Sequence, residues 1–329
     1  MDNKLAREFH TGSLIRFALP NIVMMVFMSL YTIVDGMFIS RLVGTLALSA
    51  VNMSYPLSSL QLALGIMLGT GGSAVIAREM GEGKDALARE DFSCIVAVAL
   101  GTGVVFALAG NFFLGPILEL LGTSEVQMPY TVEYTRILLW FAPAMFLQTV
   151  FQVLFVTAGK PTLGLGTTVA GGISNVVLDY LFMAPLHSGV AGAAIATGIG
   201  YCIPAAAGLW YFCRPRDSAL WFTRFHPRRR MLLQTCGNGS SEMVSNIATA
   251  ITTFLFNILF LRFWGEDGVA SITIAMYFQF VFTAVFFGFS MGVAPVISYK
   301  YGAQDADQLK KIFRICLWFT IFCSVGAYA

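Results

Sequence analysis

Nine long apolar stretches constrain the fold of this chain more than any other feature. They lie near residues 14–39, 46–77, 91–113, 134–157, 162–186, 189–213, 232–262, 269–298 and 312–329. Most are long enough to cross a hydrocarbon layer of about 30 Å as helices. Strands of a membrane barrel alternate polar and apolar residues, whereas these stretches are continuously apolar. The sequence therefore predicts an all-α membrane protein, in keeping with a composition of 57% hydrophobic and 12% charged residues.

The positions of the 20 Lys and Arg residues predict how the helices are oriented. With a cytoplasmic amino terminus, 17 of the 20 fall on the cytoplasmic side, and only Arg41, Arg136 and Arg262 do not. An excess of basic residues in cytoplasmic loops fixes membrane topology. We therefore expect a multi-pass protein of a bacterial-type plasma (inner) membrane. The basic run 228–230 flanks a membrane helix, so no nucleic-acid partner is expected.

An internal repeat aligns 32–92 with 253–313 without a gap. Identical residues at equivalent positions include Arg41 and Arg262, Gly71 and Gly292, and Gly81 and Gly302. Six helices precede the second copy, so both copies enter the membrane from the same side. Parallel halves of this kind are typical of transporters.

The repeat divides the chain into three predicted regions. They are an amino-terminal six-helix bundle (1–213), a basic cytoplasmic linker (214–230) and a partial carboxy-terminal bundle of three helices (231–329). The second copy stops at the equivalent of Leu108, giving six plus three of an expected six plus six transmembrane helices. We expect the reading frame to continue beyond Ala329 for roughly 110 to 120 residues with three more helices. A protein that evolved to nine helices is the alternative.

Two carboxylates fall within the apolar stretches, Asp35 in the first and Asp179 in the fifth. An Asp at mid-bilayer costs roughly 2.5 to 3.5 kcal/mol on insertion scales, so it is kept mainly where it faces a cavity or a partner. Asn175 precedes Asp179 by four residues and shares its helix face. A carboxylate among neutral oxygens can take up a proton or hold a hard cation. These residues are candidates for coupling to an ion gradient, with Thr197 as a further oxygen.

Several of these candidates have a structural alternative. Asp35 can be an interfacial carboxylate near the outer end of its helix, and Thr197 can bond to its own backbone carbonyl. Gln148 and Gln152, also four residues apart, either line a substrate cavity or join helices by hydrogen bonds. Met28 suits a promiscuous apolar pocket or ordinary packing against lipid. Asn257 in the second bundle is a further candidate for polar contact with a substrate.

Three separated motifs occur in order along the chain. They are Thr32-Ile33-Val34-Asp35 followed by Phe38-Ile39-Ser40, then Ser174-Asn175-x-x-Leu178-Asp179, then Gly189-Val190-x-Gly192-Ala193-Ala194-x-Ala196-Thr197. These motifs resemble the multidrug and toxic compound extrusion (MATE) transporters, and within them the DinF branch with its MepA-type drug exporters. The resemblance covers the whole chain.

The resemblance implies a two-bundle exporter of the MATE-like, MOP-type fold. Such a protein expels lipophilic, often cationic small molecules across the lipid bilayer in exchange for inward Na⁺ or H⁺. It implies a monomer that needs no cofactor beyond the coupling ion. Asp35, Asn175, Asp179 and Thr197 match the amino-terminal polar cluster linked to cation coupling in that branch. Asp179 and Asn175 are thereby candidate ligands of Na⁺.

Other functions compete with drug export. A flippase for lipid-linked oligosaccharide shares the repeated-bundle architecture, but it would favour a cavity rich in Arg and Lys, and no membrane-embedded cluster of these residues is present. An enzyme is not expected, because His10, His187 and His226 lie at helix ends or in loops and form no HExxH or similar constellation. An inactive, truncated product is the third alternative, which a dye-efflux assay distinguishes.

The predicted topology can be tested by labelling single cysteines in a cysteine-free background. A cysteine in the 214–230 linker should react only with reagents supplied from the cytoplasmic side, because basic loops are retained there. A cysteine in the 114–128 connection should react only from outside. Labelling of the linker from the external side would contradict the orientation.

Overall fold

The computed structural model describes residues 4–215 and 219–328. Within these ranges, the structure does not describe the side chains of residues 253–254, 257–258, 260–262, 264–278 and 327–328. The residues that are described form helices and connecting turns, without a strand among them. The predicted all-α class is confirmed.

Eleven α-helical elements follow one another along the described chain. They are α1 (Thr11–Phe38), α2 (Thr45–Met53), α3 (Tyr55–Gly81), α4 (Asp85–Phe112), α5 (Leu114–Leu120), α6 (Met128–Trp140), α7 (Ala142–Thr157), α8 (Pro161–Met183), α9 (Gly189–Phe212), α10 (Arg229–Gly302) and α11 (Ala306–Tyr328). A π-helical turn, Ile39–Val43, continues α1.

Proline and glycine set many of the helix ends. Proline stands in the first turn of α3, α6, α7 and α8, where its missing N–H has no intrahelical partner to lose. Gly83 and Gly159 follow α3 and α7 with φ of 75° and 73°, a left-handed conformation that glycine adopts without strain. Residues at the helix ends themselves therefore determine where these helices begin and end.

The fourth predicted stretch is two helices rather than one. It begins at Met128, earlier than expected, and α6 and α7 meet at an angle of 57°. The break lies at Phe141, two residues before Pro143. Proline cannot donate a backbone hydrogen bond to the preceding turn, so the helix bends there.

The stretches predicted near 232–262 and 269–298 form one helical element, α10, of 74 residues. This element nevertheless reverses direction. Thr235 packs against Gly71 and Tyr299 against Gly81, both on α3. Ten residues of α3 span about 15 Å, whereas a straight helix from 235 to 299 would span about 96 Å. The chain therefore turns back between these two contacts, as two antiparallel spans would.

Five helical segments of the described chain are long and apolar enough to cross a membrane. They are Thr11–Val43, Tyr55–Gly81, Asp85–Phe112, Gly189–Phe212 and Gln279–Gly302. The bent pair α6 and α7 qualifies as a sixth if it is one span. The helix α8 is not among them, since Asn175, Asp179 and four glycines lower its hydropathy. The six-plus-three arrangement stays a prediction.

Close backbone contacts join α10 to α1 and α3, and they occur in pairs that obey the internal repeat. A Cβ at Gly71 would meet the backbone nitrogen of Gly239 at 2.9 Å, and a Cβ at Gly292 would meet Ala18 at 2.9 Å. In the register of the repeat, Gly292 is the equivalent of Gly71, and Gly239 is the equivalent of Ala18. The contacts support two parallel copies related by a pseudo-twofold axis.

A second such pair lies at the helix ends. A Cβ at Gly81 would collide with the Tyr299 carbonyl, and one at Gly302 with the Arg78 carbonyl. Gly302 is the equivalent of Gly81 in the repeat, and Tyr299 is the equivalent of Arg78. We call this end of the molecule, where α3 and α10 end and the 219–228 segment lies, the linker face.

Substituting a glycine at this contact should destabilise the closed linker face. Gly81→Ala is expected to cost about 1–3 kcal/mol of unfolding free energy, because its methyl group must displace backbone rather than a flexible side chain. Gly101→Ala is the control, since nothing lies within 4 Å of a Cβ there and alanine favours the helix. Thermal unfolding in detergent measures both, and equal midpoints would contradict the close contact.

Candidate functional site

The site is built where α8 and α9 approach closely. Gly171 on α8 faces the backbone of Gly200 on α9, and a Cβ at Gly171 would meet the Gly200 carbonyl at 2.6 Å. One turn further, Asn175 Nδ2 donates a hydrogen bond of 3.3 Å to Thr197 Oγ1. Two of the predicted polar residues are therefore in direct contact, and the absence of side chains at the glycines makes that contact possible.

Asp179 lies one turn beyond Asn175 and is completely buried. Neither of its carboxyl oxygens accepts a hydrogen bond from a described residue. Asp35 on α1 interacts directly with it, and its Oδ1 is likewise buried without a described donor. The four predicted coupling residues thus form one cluster between α1, α8 and α9.

The cluster cannot hold two isolated negative charges at low cost. Two carboxylates in contact repel each other, and burial removes the water that would otherwise screen them. A proton shared between Asp35 and Asp179, or a cation held between them, relieves that repulsion. The unpaired Oδ1 of Asn175 supplies a neutral oxygen beside the pair. This donor set suits H⁺ or a hard cation such as Na⁺.

Three tyrosines surround the carboxyl pair, and the sequence prediction missed them. Tyr134 on α6 lies near Thr197 and near both carboxyl groups. Tyr31 and Tyr201 each interact with Asp35. Tyr31 precedes Asp35 by four residues, and Tyr201 follows Thr197 by four, so the same-face rule would have found these two. No local signal identifies Tyr134, which reaches the site from another helix.

A small internal cavity of about 10 Å³ adjoins the cluster, with room for about one water molecule. It is lined by Tyr31, Gln148, Thr168, Gly171, Gly172, Asn175, Thr197, Gly200 and Tyr201. Gln148 is buried, and its Oε1 has no described hydrogen-bond donor. The predicted position of Gln148 at the cavity wall thus has a structural basis, although its contact with a substrate stays a prediction.

Gln152 is held by neighbouring helices. Its Nε2 donates to Thr168 Oγ1 at 3.3 Å and lies 3.5 Å from the sulfur of Met28. Thr168 Oγ1 in turn lies 3.4 Å from the sulfur of Met24. This chain of contacts joins α7, α8 and α1, which is the helix-joining alternative for Gln152. The side chain of Asn257 lies outside the described residues.

Comparison with known proteins places the chain in a family. The MatE family model matches residues 20–181 and 242–329, which together are well over half of the sequence. The chain belongs to the MatE family. The predicted membership of the MATE transporter family is therefore confirmed.

Curated relatives of this MatE chain include multidrug export proteins. The multidrug export protein MepA of Staphylococcus haemolyticus is 27% identical over 309 residues, covering 93% of this chain and 67% of that protein. MepA of Staphylococcus saprophyticus is 23% identical over 305 residues, covering 92% and 67%. The probable multidrug resistance protein YoeA of Bacillus subtilis is 25% identical over 315 residues, with the same coverage.

Solved MATE structures share the fold. A crystal structure of MATE in complex with MaL6 superimposes with a TM-score of 0.93 at 23% identity, covering 99% of this chain and 73% of that one. An outward-facing multidrug resistance MATE family transporter of the MOP superfamily gives 0.91 at 23% identity, with the same coverage. At this identity the similarity establishes the fold.

The buried carboxyl pair predicts an unusual response to mutation. Asp179→Asn should leave stability unchanged or raise it by about 1–3 kcal/mol, because the amide replaces an unpaired buried charge and can donate a hydrogen bond to Asp35. Asn175→Ala should lower stability by about 0.5–1.5 kcal/mol by removing the bond to Thr197. Thermal unfolding in detergent tests both. A markedly lower midpoint for Asp179→Asn would show that this carboxylate is structural.

Proposed function

We propose that this MatE chain is a secondary active antiporter that exports lipophilic, often cationic compounds in exchange for H⁺ or Na⁺. The observation that carries the proposal is the direct interaction between Asp179, which is buried, and Asp35, which is half-buried, with three of their four carboxyl oxygens lacking described hydrogen-bond donors. Ionisable residues are retained inside membrane helices mainly for function. Relatives named as multidrug exporters support the same conclusion.

The exchange of a drug for the coupling ion follows from the charge of the Asp35–Asp179 pair. When the coupling ion occupies Asp35 and Asp179, the repulsion between their carboxyl groups is relieved. When the ion leaves, the pair regains negative charge, and a cationic compound that enters between the opened helices is attracted to it. Ion and drug therefore favour different charge states of one site, which is the condition for antiport. Asn175 and Thr197 stabilise the ion through neutral oxygens.

Once the helices move apart to admit a drug, the residues near the cluster suit a varied, mainly apolar cargo. Methionine is flexible and polarisable, so Met24 and Met28 can adapt to compounds of different shape. Gln148 offers a polar atom that is free to bond to a substrate. Neither Arg nor Lys lines the described cavity, in contrast to what a diphosphate-bearing lipid would need. Repulsion of cations is thereby avoided.

The test is export of a cationic dye such as ethidium from proteoliposomes that contain the purified chain, under an imposed H⁺ or Na⁺ gradient. Asp179→Asn and Asp35→Asn should reduce gradient-driven export to background, because each removes an ionisable group that the cycle requires. Asn175→Ala should reduce it less, since it removes one ligand and leaves the charges. Comparing the two gradients identifies the coupling ion.

Asp307→Asn is the matched control, because this exposed residue lies at the start of α11, away from the cluster. It should export at the parental rate. Parental export by Asp179→Asn would contradict the site assignment. A parent chain that exports no dye under either gradient would contradict the proposed function itself.

A further inference from the structure

The segment that precedes α10, residues 219–228, does not lie free. We call it lead-in 2. Leu220 is completely buried, and the Phe222 ring lies 5.2 Å from that of Phe92 on α4. The backbone nitrogen of Thr223 donates a hydrogen bond of 2.9 Å to Ser93 Oγ on the same helix. The predicted linker is therefore packed onto the first bundle.

Arg89 on α4 holds the start of lead-in 2. Its Nε donates a hydrogen bond of 3.0 Å to the Ala219 carbonyl. Its guanidinium also lies over the Trp221 ring, 3.6 Å from the ring centre. A guanidinium stacked in this way on an indole ring adds a cation–π attraction to the hydrogen bond.

Arg228 holds the other end of lead-in 2, immediately before α10. Its Nη2 donates to Asp91 Oδ2 on α4 and, at 3.3 Å, to Glu79 Oε1 on α3. Asp91 is 1% exposed. The hydrogen bond to Asp91 raises the pKa of Arg228 above its usual value, so the guanidinium stays charged. One arginine pairs with two largely buried carboxylates, and losing it would leave both without their cation.

The chain's own first residues form a counterpart, lead-in 1, over residues 4–10. Leu5 and Phe9 are buried in a cluster with Val296 and Ile312 of the second bundle. The Phe9 backbone nitrogen donates to Gln308 Oε1 at 3.1 Å. Lys300 Nζ donates to the Ala6 carbonyl, also at 3.1 Å. The segment that leads into the first bundle is thus docked on the second.

The two dockings are reciprocal and follow the internal repeat. Lead-in 2 enters the second bundle and docks on the first, while lead-in 1 enters the first bundle and docks on the second. In the register of the repeat, Arg228 is the equivalent of Arg7, and Lys300 is the equivalent of Glu79. The arginine–carboxylate clamp that holds lead-in 2 therefore has a counterpart at lead-in 1, where a lysine is bound to a backbone carbonyl. Both dockings lie at the linker face, beside the Gly81–Tyr299 contact.

We propose that the two lead-in segments form a reciprocal latch that keeps the linker face closed, with the Arg228–Glu79–Asp91 clamp as its strongest part. Each segment continues directly into a helix of its own bundle while docked on the other bundle. The bundles cannot separate at this face until the dockings are released. In the proposed function, this latch closes one side of the exporter.

Asn21 provides an opposing contribution that keeps the closed state reversible. It is completely buried on α1 against Gly292 of α10, and neither Asn21 Nδ2 nor Oδ1 has a described hydrogen-bond partner. An amide buried without partners disfavours the closed arrangement, because water would satisfy it if the bundles separated. Replacing it by leucine, which has nearly the same shape, should favour closure.

Spin labels at Ala86→Cys and Asp307→Cys report opening directly. Both residues are exposed, lie on the linker face in different bundles and occupy equivalent positions of the repeat. The six native cysteines are replaced first. Pulsed electron paramagnetic resonance then gives the distance distribution of the purified chain in nanodiscs. No drug or gradient is needed, so a chain that exports nothing still tests the latch.

Arg228→Gln should raise the ratio of long to short distances roughly 10-fold or more, because the clamp is lost. The triple variant Glu79→Gln/Asp91→Asn/Arg228→Gln should also raise it, and it leaves no unpaired buried charge that would impair folding. Asn21→Leu should lower the ratio. Arg230→Gln, an exposed neighbour, should match the parent. Parental distances in both the single and the triple clamp variants would overturn the proposal.

Discussion

Close approach of helix backbones is the constraint on which the rest of this structure depends. Apolar side chains gain little by meeting each other in a bilayer, because lipid tails are equally apolar. Helices associate instead through close packing at small residues and through a few hydrogen bonds. The contacts of Gly171 with Gly200, and of Gly81 with Tyr299, are of this kind. The first positions the polar cluster, and the second closes the linker face.

This close packing determines which polar groups contact each other. Asn175 reaches Thr197 because glycines one turn away let α8 and α9 approach. The carboxyl of Asp179 then has Asp35 beside it rather than a hydrogen-bond donor. In the proposed function, it is this lack of hydrogen-bond donors around the carboxyl pair that makes the site responsive to an ion.

The helix α1 connects the two functional regions. Ala18 contacts Gly292 near the linker face, and Asp35 contacts Asp179 near the other end of the same helix. Seventeen residues of helix separate them by about 25 Å. Asp35 therefore lies on a helix that also forms part of the closure. In the proposed cycle, ion binding at one end and latch release at the other are linked through this helix.

The sequence by itself determined the helical class, the apolar stretches, the internal repeat and the family, because hydropathy, periodicity and motif spacing are properties of the chain alone. It also singled out Asp35, Asn175, Asp179 and Thr197 as candidate coupling residues, because polar residues in apolar stretches are costly wherever they lie.

Only the tertiary structure decided which groups meet. Tyr134 joins the cluster from another helix, and residues 219–228 pack onto α4 instead of forming a simple linker. The physical reason is that these contacts join residues distant in the sequence. Whether they form depends on backbone shape at the glycines and on the pairing of Arg228 with Asp91 and Glu79, which no local pattern encodes.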